Sequence, residues 1–358
     1  MPNSFRRTVV ASLICLAVPT DAQPASAPAK SIEAYVKPYV DTRNFSGVIT
    51  VAKANRAIFA KSYGSSDFVG GVPNRLDTRF HIASMSMQFT AAAALRLVQA
   101  GKLSLDEPVS SFVPDLPNGG KITIRHLLTQ TSGIRDINGL PQYDDLLKSH
   151  QTPLALVDKI RGLPAEHEPG TFGREEHSAY NLLALIIERR TGLPFATAVK
   201  HLVFGPLQMA DSGIDDDDLR AGPEFAVGHA PRGTQEVEPA ERIHWSAKAG
   251  NASAYTTAGD ELRFVRGMFD PRFLRADLRD AVFDLSSRVG YGWFKSNSTR
   301  FGQPVYSMNG RAPGFASALI YVPREQLAVV AFSNIYASFT SDIAGDVPPL
   351  CSACRINR

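Results

Sequence analysis

The chain has 358 residues, 44% of them apolar (AVILMFWYC) and 20% charged, which provides for a large hydrophobic core and excludes a disordered chain. Lys and Arg total 38 against 35 Asp and Glu, a formal charge of +3; so small and scattered an excess excludes a nucleic-acid partner held on a basic face. No internal repeat stands out, which excludes a solenoid or propeller.

At the N-terminus, Arg6 and Arg7 precede a short apolar run over 8–18 that holds Leu13, Ile14 and Leu16. Pro19 breaks the run, and Thr20-Asp21-Ala22 places a small residue at a cleavage point. Basic, apolar and small residues in that order predict a signal peptide over 1–22. The run is too short for a stable membrane anchor, so an exported, periplasmic or secreted protein is expected. Cys15 falls in this leader, and Cys351 and Cys354 fall in an expected tail over 346–358. A C-x-x-C with no further His or Cys at ligand spacing predicts no metal. It reads instead as a small disulfide or two thiols.

Residues 45–63 read as a hairpin, with alternating Val48, Thr50 and Ala52, a connection at Lys53-Ala54-Asn55, and then Ala57, Phe59 and Lys61. From 87 to 100 the alanine-rich text, with Ala91, Leu95 and Val98 at helical spacing and Gly101 after it, predicts a helix. Residues 108–170 carry many Pro and Gly between short helical pieces. A second helix is expected over 182–190, closed by Gly192 and Pro194. Residues 215–242 read as a surface excursion. Strands follow over 289–294, 316–322 and 327–332, the last two joined by Pro323-Arg324-Glu325-Gln326. Strands at both ends with helices between predict an α/β fold of the α+β type. Its antiparallel sheet combines N- and C-terminal segments and is flanked by helices. One domain over 32–345 would carry a helical subdomain inserted over roughly 105–285, with the cleft where the insert meets the sheet.

From Asp77-Thr78-Arg79-Phe80-His81-Ile82-Ala83-Ser84 onwards the text resembles the serine β-lactamase and penicillin-binding superfamily, in its class C-like branch of esterases and D-peptidases. The matching text includes Gln88-Phe89-Thr90-Ala91, Gly101-Lys102-Leu103-Ser104-Leu105-Asp106, Ile122-Thr123-Ile124-Arg125-His126-Leu127-Leu128-Thr129 and Thr131-Ser132-Gly133. Pro169-Gly170-Thr171, Ile186-Ile187-Glu188, Gly205-Pro206-Leu207, Pro313-Gly314-Phe315 and Ser333-Asn334 continue it. The resemblance implies a β-lactamase/transpeptidase-like fold and acyl transfer on ester, amide or peptide substrates, with a small-molecule or peptide ligand and no cofactor.

The family's chemical motifs are altered. Its S-x-x-K, in which the lysine one turn after the serine helps deprotonate it, stands here as Ser84-Met85-Ser86-Met87. Ser84 keeps the nucleophile position, and Met87 replaces the base with a thioether. The tyrosine and asparagine positions of Y-x-N fall on Glu175 and His177; with Phe172-Gly173 shifted into register, Arg174 takes the tyrosine position. Tyr180 falls on an ordinary helix position. The H-x-G or K-T-G motif stands as Met308-Asn309-Gly310, where Met308 replaces the basic residue and Gly310 still permits close backbone approach. Gln130 replaces the histidine before Thr131-Ser132-Gly133.

Each of these residues also has a structural reading. Ser84 suits a helix N-cap, and Ser86 a first-turn position. Met85 and Met87 suit packing, and Asn309 an edge-strand position. The run 174–177 suits a solvated loop, and His81 and His126 suit satisfied structural histidines. Three functions follow. One is an acyl hydrolase-like protein on Ser84, with standard catalysis weakened or lost. One is a non-covalent acid–base enzyme, a lyase or cyclase, using Glu175 and His177. The third is a silent ligand- or peptidoglycan-binding homologue, with Met87, Met308, Asn309 and Gly310 lining its pocket.

Overall fold

The computed structural model describes residues 27–216, 222–233 and 236–352; the expected signal peptide, Cys15 and Cys354 lie outside them. A helix α1 (Ala27–Asp41) leads into the hairpin β1 (Gly47–Lys53) and β2 (Arg56–Tyr63). The helices α2 (Met87–Gln99), α3 (His177–Thr191) and α4 (Ala258–Met268) follow, among shorter helices and turns. The chain then returns to strands β3 (Val289–Gly290), β4 (Trp293–Ser298), β5 (Gln303–Ala312), β6 (Phe315–Val322) and β7 (Leu327–Ser333), and closes with helix α5 (Thr340–Ser352).

One seven-stranded sheet runs β3-β4-β5-β6-β7-β1-β2, and every neighbouring pair is antiparallel. Strand β1 pairs with β7 from Gly47 opposite Ser333 to Lys53 opposite Leu327, so the two ends of the chain share one sheet as the strand order predicts. Val48, Leu319, Val330 and Phe332 point to one face and pack with Phe80, Phe89 and Phe264 beneath α2 and α4. Ile49, Val51, Val329 and Ala331 point to the other, against Ile32 and Val36 of α1 and Ile343 and Val347 of α5. The period-two alternation of these strands therefore supplies two apolar faces, each covered by helices.

Several local expectations change. The loop joining β1 and β2 has two residues, Ala54 and Asn55, both at positive φ, which is the geometry a two-residue hairpin needs. The single strand expected over 289–294 is a hairpin: Tyr291 and Gly292 both take positive φ and Gly290 pairs with Trp293. Tyrosine is a strand former, so its sequence conceals this turn. The 215–242 excursion packs back on the body. Ala226 N donates to Arg79 O, Val227 N to Ser66 O, and buried His229 N to Asn334 O. Helix α5 continues through residue 346, where the tail was expected to begin, and Val347 and Cys351 are buried; the sheet face beneath it is apolar and needs a cover.

Helix α2 forms because its text is alanine-rich, and it is almost wholly buried. Where it meets α4, Gln88 Nε2 donates to Oε1 of fully buried Glu261 at 2.8 Å. Burial pushes the Glu261 carboxyl up to about 8, with the Gln88 hydrogen bond pulling against it. Between its ordinary value of 4.5 and about 8 the native state binds more protons than the unfolded state, so stability falls as pH rises through that window. Glu261→Gln is expected to flatten this dependence. In thermal melts followed by circular dichroism, the parent's midpoint should drop between about pH 5 and pH 8, and the variant should gain on it throughout that range.

Candidate active site

The site begins where a short strand (Phe80–His81) ends. That strand pairs with Ala254–Thr256, which pairs in turn with Gly213–Ile214. The chain then turns at Ala83, a non-glycine residue at φ 51°, of the kind that concentrates at functional positions. A 3-10 turn (Ala83–Ser86) carries Ser84 and runs directly into α2. Ser86 is buried and structural: its Oγ donates to Ala83 O at 2.6 Å and accepts from Ala254 N at 2.9 Å. Met85 is core. Ser84 is half-buried and makes no side-chain hydrogen bond that would mark it as an N-cap.

Strand β5 lies under this turn. Its ladder with β4 ends at Ser307 opposite Phe294, whereas its ladder with β6 continues to Ala312. The half from Met308 to Ala312 is thus bonded on one side only, as the edge reading of Asn309 expects. A Cβ on Gly310 would stand 2.3 Å from Ile82 O and 2.8 Å from Ser84 N. The missing side chain is what lets the Ser84 turn rest on the strand. Met308 shares the Gly310 face and is buried, while Asn309 stands on the opposite pleat and is exposed.

Met87 opens α2 and is 1% exposed. Its sulfur receives Gln130 Nε2 at 3.8 Å, and Gln130 Oε1 accepts Glu176 N at 3.1 Å. Gln130 therefore ties the start of α2 to the start of α3. Glu176 is no solvated loop residue. Its buried carboxylate accepts Ser132 N at 3.0 Å, Ser132 Oγ at 2.6 Å and Gly133 N at 2.9 Å, and His167 Nε2 stands 3.3 Å away. Burial pushes this carboxyl up, against the Ser132 and Gly133 hydrogen bonds.

Glu175 and His177 do not bond to one another. His177 is the first residue of α3, and its Nδ1 meets Asp136 Oδ2 at 3.0 Å. Glu175 is half-buried and makes no side-chain hydrogen bond or ion pair among the described residues. Asp136 is 4% exposed, and its other oxygen caps the turn Ile137–Gly139 by accepting Asn138 N at 2.9 Å. Burial pushes the Asp136 carboxyl up, but His177, the Asn138 amide and the Arg174 charge outweigh it and hold it below the usual carboxylate range. Tyr180 is fully buried and donates to Leu128 O at 3.2 Å, and burial keeps its phenol from ionising.

Beside Asp136 lies a pair that the sequence reading missed. Buried Lys248 donates through Nζ to the Tyr143 hydroxyl at 2.5 Å. Burial brings the lysine down to about 8, the Asp136 charge opposing, and burial first, then Asp136, pushes the Tyr143 phenol up. One signal was available: Lys248 stands alone in the apolar text Trp245-Ser246-Ala247-Lys248-Ala249, and a lysine buried there requires a partner. No comparable signal marked Asp136. His81, stacked on Trp245 with ring centroids 3.9 Å apart, meets buried Asp215 at 2.8 Å. His126 completes a capping box with Thr123. Both histidines hold structural positions, as read.

Ser84 thus stands on a turn before a buried helix, seated on a strand that is open along one edge. The family model described as Beta-lactamase matches residues 32–346. The chain belongs to the β-lactamase family. It is 32% identical over 288 residues to Esterase EstB of Burkholderia gladioli, covering 70% of this chain and 72% of that protein. It is 29% identical over 302 residues to the putative penicillin-binding protein PbpX of Bacillus subtilis strain 168, covering 83% and 72%. Among solved structures, a D-amino acid amidase from Ochrobactrum anthropi SV3 superposes with a TM-score of 0.80 at 22% identity, over 92% of this chain and 100% of that one. A penicillin-binding protein from Bacillus halodurans gives 0.78 at 24% identity, over 90% and 98%; both likenesses are of fold.

Within this β-lactamase scaffold, Gly310 sets the height of Ser84. Gly310→Ala is expected to lift the turn off β5 and slow covalent labelling of Ser84 by about 10²-fold, the cost of an ångström of misplacement. Labelling rates read by intact mass, with melting curves to confirm the fold, check this.

Proposed function

We propose that this protein is an exported hydrolase-like member of its family, directed at ester, amide or peptide acyl groups, in which Ser84 remains the nucleophile and the standard acyl-serine route is weakened. The observation that carries the reading is Met87, closed off from solvent with the Gln130 amide against its sulfur. A thioether takes no proton near neutrality, and losing the base of a coupled catalytic unit costs about 10³-fold or more in rate. The similar esterase, penicillin-binding protein and amidase support the substrate class. The leader text at Arg6, Arg7 and the run over 8–18 supports export. No helix among the described residues is long and apolar enough to cross a membrane. The ligand expected is a small acyl compound or peptide, held along the open edge of β5 beside Ser84.

Restoring the family text tests the reading. Met87→Lys combined with Glu175→Tyr, His177→Asn and Met308→His is expected to raise simple ester hydrolysis by about 10³-fold, with Ser84→Ala abolishing the gain. Ester hydrolysis by the unaltered protein as fast as by the restored one, abolished by Ser84→Ala, would overturn the weakened route, and fast hydrolysis insensitive to Ser84→Ala would overturn Ser84 as the nucleophile.

A further inference from the structure

We infer that a basic groove at the end of α2 remote from Ser84 binds a small soluble ligand that carries two or more phosphate groups. The inference is independent of the reading of Ser84. The groove has a volume of about 980 Å³, and no residue of the Ser84 turn or of the Met308–Ala312 edge lines it.

The sheet makes its floor. Ala57, Ala52, Ala328 and Tyr321 all line the groove and stand in one row across β2, β1, β7 and β6, each opposite the next. Residues directly opposite one another share a face of the sheet, and Ala328 and Tyr321 belong to the face packed beneath α2 and α4. Three alanines in succession leave open the space that larger side chains would fill. On β6 this row lies four residues from Ser317, the partner of Gly310, which is about 13 Å along the strand. The groove is therefore a second site and not an extension of the first.

The walls carry one sign of charge. Arg96 in the last turn of α2, Arg263 and Arg266 three residues apart on α4, and Arg272 just beyond α4 line the groove against a single lining carboxylate, Asp270. Four guanidinium groups less one carboxylate leave +3, as much in one groove as the formal charge of the whole chain. Arg272 pairs with Asp270 at 2.6 Å, and Arg263 with buried Asp260 at 2.5 Å. The other two lack a carboxylate. Half-buried Arg96 donates through Nη1 to Phe273 O at 2.6 Å and lies over the Phe273 ring, and its Nε has no partner. Exposed Arg266 makes no side-chain hydrogen bond or ion pair among the described residues.

This arrangement selects the ligand. A half-buried cation without a counter-charge is costly, and an anion in the groove would offset that cost. A guanidinium presents paired donors in one plane, which match two oxygens of a phosphate. A concave surface of one sign also raises the local concentration of anions. The volume suits a small-molecule ligand larger than a single phosphate, and two uncompensated arginines on separate helices match separate anionic groups on it. The concavity favours a free ligand over the flat face of a membrane.

The test titrates tripolyphosphate into the purified protein by isothermal calorimetry, with inorganic phosphate alongside. Tripolyphosphate is expected to bind at least about 10-fold more tightly than phosphate, and less tightly as salt rises. Arg266→Gln, at an exposed position, is expected to weaken binding by about 10-fold with the melting midpoint unchanged, and Arg96→Gln by at least as much. Arg275→Gln, outside the groove and paired with Asp277, is expected to bind as the parent does. The protein is expected to stay in the supernatant when vesicles of phosphatidylglycerol are sedimented. Absence of tripolyphosphate binding overturns the inference, as does binding that Arg266→Gln leaves at parent strength. Sedimentation with the vesicles that Arg266→Gln abolishes, without binding of tripolyphosphate, overturns it in favour of a lipid headgroup.

Discussion

Everything in this molecule hangs on the pairing of β1 with β7. Seven residue pairs, from Gly47 opposite Ser333 to Lys53 opposite Leu327, join text from the two ends of the chain. Bringing such distant segments together costs loop-closure entropy, although that cost grows slowly with length. Burial of both sheet faces offsets it. Once the pairing forms, residues 64–288 have to leave the sheet and return to it. Where they leave the sheet region, the turn that carries Ser84 and opens α2 rests on the strand at Gly310.

The chemistry at that junction is governed by what can be buried. A lysine at position 87 would place an ammonium beside the start of α2, and a buried charge is costly without a partner. Methionine fills similar length with a flexible, apolar chain, and Gln130 covers its sulfur with a neutral amide. The packing around position 87 therefore suits a methionine. The same logic runs in reverse at Glu176, where a carboxylate is retained in the interior because three donors from Ser132 and Gly133 meet it. That clamp fixes the loop after Gln130 against the start of α3, and with it the position of His177.

Lys248 and Tyr143 extend the polar ground on the far side of Asp136. An amine brought near neutrality by burial and bonded to a phenol is held in place by the loop behind it. Ala249 O accepts Asn181 Nδ2 at 2.7 Å, and Gly250 O accepts Thr90 Oγ1 at 2.7 Å, so the loop is pinned to α3 and α2 together. Lys248 is thus carried on a loop fixed to two buried helices.

Periodicity and text alone determined a good deal. The alternation of β1, β2, β6 and β7, the alanine-rich α2, the family resemblance and the methionines at positions 87 and 308 are all local properties, and each was legible. The turn at Tyr291 and Gly292 was hidden because a strand-forming residue occupies it, and the burial of Cys351 because its helix was read as a tail. The partners at the site belong to the tertiary structure. Asp136 and His177 are 41 residues apart, and Tyr143 and Lys248 are 105 apart. Neither spacing carries a signal, because hydrogen-bond partners between separate elements are chosen by the packing of those elements. Sequence placed a methionine at position 87, and the fold decided that the Gln130 amide covers its sulfur.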